Sequence, residues 1–135
     1  MTPLDAGVAA WLEKADSDLL CIENNVAASR VPWDAVVFHA QQAGEKVLKA
    51  LLVAAGVTVP RTHDLVALLS QARSAGFDIA VARPDVEVLS RFGAAVRYPD
   101  PVYSPSEEDG REMTAAALRL RSTVGKLLEK PASRN

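Results

Sequence analysis

A chain of 135 residues, 49% hydrophobic and 24% charged, has room for one domain around one core and is too apolar to be a disordered segment. Its formal charge of −2 argues against a nucleic-acid binder that works through overall charge. No apolar run reaches the roughly 18 residues a membrane span needs. The single cysteine, Cys21, allows neither an internal disulfide nor a cysteine-based metal site. Met1-Thr2-Pro3-Leu4-Asp5 lacks the basic and apolar regions of a signal peptide, so a cytoplasmic location is expected.

The predicted elements are helical throughout. Thr2-Pro3-Leu4-Asp5 supplies a capping hydroxyl, a proline at the first helical position and a carboxylate at the third. The first helix is predicted to run to about Val26, with Val8, Trp11, Leu12, Ala15, Leu19 and Ile22 on one stripe. A turn over 28–31 and Pro32 lead into a second helix to about Ala55, closed by Gly56. After an extended link at 57–60, Thr62 is predicted to cap a third helix carrying Leu65, Leu68 and Leu69, which Gly76 stops. A loop over 77–83 precedes Pro84, which opens a fourth helix with Val86, Leu89 and Phe92. It is predicted to end near Arg97, because Tyr98-Pro99-Asp100-Pro101 breaks the pattern. Ser104-Pro105-Ser106-Glu107 reads as a capping box for a last helix to about Glu129, through Met113, Ala116, Ala117, Leu120, Val124 and Leu127. Residues 131–135 read as a frayed tail. Without strand alternation or internal repeats, the expectation is an all-α single domain over 1–130. Its expected architecture is an antiparallel up-and-down four-helix bundle with a short additional helix.

The second helix carries the most specific signal, His39-Ala-Gln-Gln-Ala-Gly-Glu-Lys-Val-Leu-Lys-Ala-Leu-Leu52. At about 100° per residue, Phe38, Gln42, Glu45 and Lys49 share one arc, with His39 and Lys46 on its flank. Val36, Val37, Ala40, Gly44, Val47, Leu48 and Leu51 take the opposite arc. One reading is a core helix that carries a Glu45–Lys49 pair worth a few tenths of a kcal/mol. Another is a binding or interface surface, in which Ala40, Ala43 and Gly44 let a second helix approach closely. The basic residues of the last segment, Arg111, Arg119, Arg121, Lys126, Lys130 and Arg134, could attract phosphate, though the helix dipole also favours cations near its C-terminus.

Three segments in order, Phe38-His39-Ala-Gln-Gln-Ala-Gly-Glu45-Lys46-Val-Leu-Lys49, Thr62-His63-Asp64-Leu65 and Arg97-Tyr98-Pro99-Asp100, make the chain resemble the HEPN domain family. The resemblance implies a helical bundle that usually forms a homodimer. Many family members act beside a minimal nucleotidyltransferase in toxin–antitoxin pairs, and others are nucleotide binders. Active members resemble metal-independent RNases that carry an arginine followed, after four to six residues, by a histidine.

That last pattern is missing here. Neither Arg91 nor Arg97 is followed by a histidine at the required spacing, and the two histidines, His39 and His63, both lie upstream. Metal-independent RNA cleavage needs groups that take and give protons, and arginine cannot do so at neutral pH. Arg91 and Arg97 can hold phosphate without cleaving it. The expected function is therefore a non-catalytic module that dimerises and binds a nucleotide or a partner nucleotidyltransferase, with RNA as a further candidate ligand. Gln42, Glu45, Lys46, Lys49 and His63 would form the binding surface with Arg91, Arg97 and Tyr98. A divergent RNase toxin using Arg91 or Arg97 with His39 or His63, and a purely structural dimer, are the alternatives. No metal site or cofactor is expected: there is no His-x-x-x-His, and the glycines form no phosphate-cradling loop.

Overall fold

A computed structural model describes residues 2–97 and 103–129. Among them the fold is all-α, with five α-helices and no strand: α1 (Pro3–Val26), α2 (Trp33–Ala54), α3 (Leu65–Ser74), α4 (Arg83–Leu89) and α5 (Glu107–Leu128). None of these helices is long and apolar enough to cross a membrane.

The ends of α1 and α2 form where the sequence places them. Thr2 Oγ1 accepts the Asp5 N–H at 3.1 Å and Asp5 Oδ2 accepts the Thr2 N–H at 3.1 Å, a reciprocal cap. Gly56, at φ +73°, turns the chain away after α2. Three other ends differ from expectation. The cap of α3 is Asp64, whose Oδ1 accepts the Ala67 N–H at 3.1 Å; Thr62 instead accepts the Asp64 N–H, fixing the turn before the helix. The cap of α5 is Ser106 rather than Ser104, because Asp109 stands where the reciprocal acid is needed, its Oδ2 2.9 Å from the Ser106 N. The predicted fourth helix is two pieces, α4 and a 3₁₀ turn over Gly93–Arg97, while the loop before it holds another 3₁₀ turn at Ala80–Ala82. Ser90 Oγ bonds back to the Val86 carbonyl at 2.8 Å, and Gly93 adopts φ +54°, which ends regular helix there.

The long helices have a clear register. Gly7 lies against Val53, Lys49 over Trp11, and Asp18 reaches His39 and Lys46, so α1 and α2 run antiparallel. Gly110 packs under the Trp33 ring and Leu120 reaches Gly44, so α2 and α5 run parallel. Asp85 pairs with Arg119, and Arg91 with Asp109 and Glu112, so α4 and α5 run antiparallel.

At the centre is α2. From Ala40 to Leu52 all its residues are buried except Gln42 and Lys46, which are half-buried. One side meets α1; the other meets α3, α4 and α5, where Leu48, Leu51, Leu65, Leu68, Leu89, Met113 and Leu120 fill the core. A Cβ on Gly44 would lie 2.7 Å from Leu89 and 3.0 Å from Leu65, so the small residues of α2 serve packing inside the chain and are not free to meet a second molecule. The polar arc of α2 is likewise not a solvated face: Glu45 and Lys49 are buried.

Candidate functional site

The break after α4 creates the site. A helix end leaves carbonyls without intrahelical partners, and those of Leu89 and Gly93 are met by Gln41 of α2. Its Nε2 donates to the Gly93 carbonyl at 3.0 Å and to that of Leu89 at 3.5 Å. Its Oε1 accepts from Arg97 Nη1 at 3.3 Å. A buried amide thus closes the broken helix and positions an arginine.

One turn further along α2, the buried Glu45 collects two partners. Oε2 accepts from Lys49 Nζ at 3.0 Å, and Oε1 lies 2.8 Å from His63 Nδ1. Lys49 also sits 5.5 Å from the Trp11 ring centroid, filling the α1–α2 seam. His63, just before the Asp64 cap of α3, is half-exposed with its Nδ1 edge turned to Glu45.

These residues meet at a cleft of about 500 Å³ between the start of α3, the buried Gln41 and the 3₁₀ turn; Arg61, His63, Gly93 and Arg97 are among its walls. That volume suits a small molecule. Among the described residues Arg61 and Arg97, like Arg30 and Arg73 outside the cleft, reach no carboxylate, whereas Arg83, Arg91, Arg111, Arg119 and Arg121 each have one within ion-pair distance. The cleft therefore offers two guanidiniums without an ion-pair partner among the described residues, beside an imidazole held by a carboxylate, with Asp64 also in its lining.

The structure brings together some of the residues singled out in the sequence and separates others. His63 and Arg97 share the cleft, with Glu45 directly behind His63 and Lys49 behind Glu45. Lys46 is elsewhere, its Nζ 2.6 Å from Asp18 Oδ2 while Asp18 Oδ1 lies 2.8 Å from His39 Nδ1. Gln42 shares that α2 stripe and does not line the cleft. Arg91 is held against α5, 2.6 Å from Glu112 and 3.4 Å from Asp109. Its hydrogen bond to Glu112 raises its pKa, and the same bond lowers that of Glu112. Tyr98 lies outside the described residues. Gln41 and Arg61 were missed. Gln41 stands four residues before Glu45 and so projects beside it, a spacing that the broad polar arc obscured by drawing attention to Gln42. Arg61 immediately precedes the Thr62-His63-Asp64 segment.

Near the other end of the 3₁₀ turn, Tyr103 packs edge-on against Phe92, with ring centroids 5.2 Å apart. Its hydroxyl is buried and has no hydrogen-bond partner among the described residues. Burial pushes its pKa up to about 12, with Asp34 and Asp109 adding to the shift. No group of three or more His, Cys, Asp or Glu among the described residues is arranged to hold a metal ion.

No curated protein and no solved structure matches the chain significantly. A family model of the HEPN domain matches residues 8–127, a span that takes in α2, the His63 turn and the break that carries Arg97. On that match the chain belongs to the HEPN domain family.

Proposed function

We propose that the cleft binds the phosphate of a nucleotide and that the protein acts as a binding module without nuclease activity. The observation that carries this reading is the pair of arginines, Arg61 and Arg97, which face one cleft without a carboxylate partner among the described residues. Arginine suits phosphate because its planar fork offers several donors in fixed geometry. Membership of the HEPN family, in which nucleotide binding and RNase-like activity both occur, agrees with a phosphate-bearing ligand.

Binding is favoured over cleavage by the placement of the histidines. His39 is on another stripe of α2 with Asp18, so the cleft has one imidazole among the described residues. Cleavage without a metal needs both a base and an acid. The opposing reading, a divergent RNase, draws on the meeting of His63 with Arg97; it requires RNA cleavage that disappears in His63→Ala.

A thermal-shift titration with AMP, GMP, CMP and UMP tests the binding reading. At about 100 times Kd a ligand adds roughly 2.7 kcal/mol, a shift of several degrees. The shift is expected to vanish in Arg97→Ala and persist in Arg73→Ala, a substitution on the exposed side of α3. No shift with any of the four refutes it. A homodimer and an associated minimal nucleotidyltransferase complete the proposal, supported by family membership alone; light scattering that gives a monomer at micromolar concentration would remove the first.

A further inference from the structure

An apolar groove of about 550 Å³ lies between α1 and α5, and its walls include Leu19, Leu20, Ile22, Val26 and Leu118. Leu20 and Leu118 are 54% and 52% exposed, the two most exposed leucines among the described residues. Because α1 is antiparallel to α2 and α2 is parallel to α5, α1 and α5 run antiparallel. Asp16 fixes their relative level by accepting from Arg121 Nε at 2.8 Å and Nη2 at 3.3 Å. Charge divides between the two helices. At about 100° per residue, the positions from Ala9 to Ala27 within about 60° of Leu20 include Glu13, Asp16 and Glu23 and no base. On α5 the positions from Gly110 to Leu128 within about 60° of Leu118 include Arg111 and Arg121 and no acid. Arg111 has an exposed pair with Glu107, of a kind weak enough to be shared. Ala9, Ala27, Ala115 and Gly125 on the same arcs are small enough for another helix to come close.

We propose that a second copy of the chain covers this groove, with the α1 of each protomer laid on the α5 of the other. Two-fold symmetry offers two ways to join such faces. An axis across the helices sets α1 on α1, acids against acids, which is costly. An axis along the helices sets α1 antiparallel on the other protomer's α5, at the level that the Asp16–Arg121 pair defines. Leu20 then meets the partner's Leu118, and the acids of α1 face the partner's Arg111 and the partner's Arg121. The contact has an apolar centre, a charged rim and opposite signs across it, as a specific interface requires. None of the residues lining the groove lines the cleft, so a dimer joined here leaves the cleft open. This inference rests on the homodimer proposed above from family membership and names the face that makes it.

Sedimentation equilibrium of the full chain at micromolar concentration tests the face. Leu20→Glu and Leu118→Glu change exposed side chains, so both are expected to keep the helical circular dichroism of the parent and to weaken self-association about tenfold or more. Val81→Glu, at a position 75% exposed and outside the groove, is expected to leave it unchanged. The pairing of α1 with α5 is read by cross-linking in a Cys21→Ala background. Leu20→Cys and Leu118→Cys proteins are expected to form a disulfide-linked dimer on oxidation when mixed, and not when either is oxidised alone. A monomer at every concentration overturns the inference together with the homodimer. A dimer that persists in both glutamate variants overturns this face and leaves the homodimer standing. Cross-linking of Leu20→Cys alone as fast as in the mixture overturns the laying of α1 on α5.

Discussion

Replacing Glu45 with leucine should damage the fold far more than its position in a Glu–Lys pair four residues apart would imply. On a solvated helix such a pair contributes about 0.3–0.5 kcal/mol. Here the side chains of Lys49 and Glu45 are only 8% and 5% exposed, and their Nζ–Oε2 distance is 3.0 Å. Removing one partner of a buried pair leaves the other charge without compensation, at about 3–5 kcal/mol. That is a large part of the roughly 5–15 kcal/mol that holds a domain together. Lys49→Met should cost less than Glu45→Leu, since His63 still reaches Glu45. The double variant Glu45→Leu with Lys49→Met removes both charges and replaces them with apolar chains of similar length. It should recover most of the loss, falling short by about 1 kcal/mol because the Lys49–Trp11 contact is gone as well. Urea denaturation of the four proteins gives the comparison, with equal slopes confirming that the denatured states match. A cost below about 1 kcal/mol for Glu45→Leu, or a double variant whose loss equals the sum of the singles, would refute the buried-pair argument.

Two further expectations come from the margins of the fold. The Ser106 N–H, reinforced by the Ser106 hydroxyl and Arg91, holds the Asp109 carboxyl below its ordinary value of 3.8. A lowered carboxyl contributes stability above the unfolded value and loses it as pH falls through the folded one. Unfolding measured at about pH 5 and about pH 2.5 should therefore show a drop that is smaller in Asp109→Asn; an unchanged drop would count against the cap. Tyr103→Phe removes a buried hydroxyl that has no partner among the described residues, so it should leave stability unchanged or raise it by up to about 1 kcal/mol. A melting point several degrees lower would reveal a bond that this hydroxyl makes.

The helices were largely legible because their signals are local. Thr2 with Asp5, Pro32 and Gly56 each act within one turn of the boundary they set, and α1 and α2 begin and end accordingly. The break in the predicted fourth helix was less visible, because it combines Ser90 bonding back to Val86 with a glycine in the left-handed region. For the site, periodicity was misleading. It sorted α2 into a polar and an apolar arc, but a helix packed on both sides buries both arcs, and hydrophobicity alone does not report the second neighbour. That Asp18 would take up His39 and Lys46, or that Arg91 would be bound by Glu112, depends on contacts between distant segments. The His63 turn and Arg97 were found as sequence segments, and only the fold brings them to one cleft.

The enclosure of α2 also divides the site by how freely it can change over evolutionary time. Gln41 and Glu45 belong to the interior, so any replacement must still close the broken helix or neutralise Lys49. Arg61 lies on exposed chain before α3 and carries no such duty, whereas His63, exposed as well, still partners Glu45. Ligand preference can therefore drift at the rim of the cleft while its floor is held fixed by the demands of folding, and a change of specificity among related chains would be sought first at Arg61.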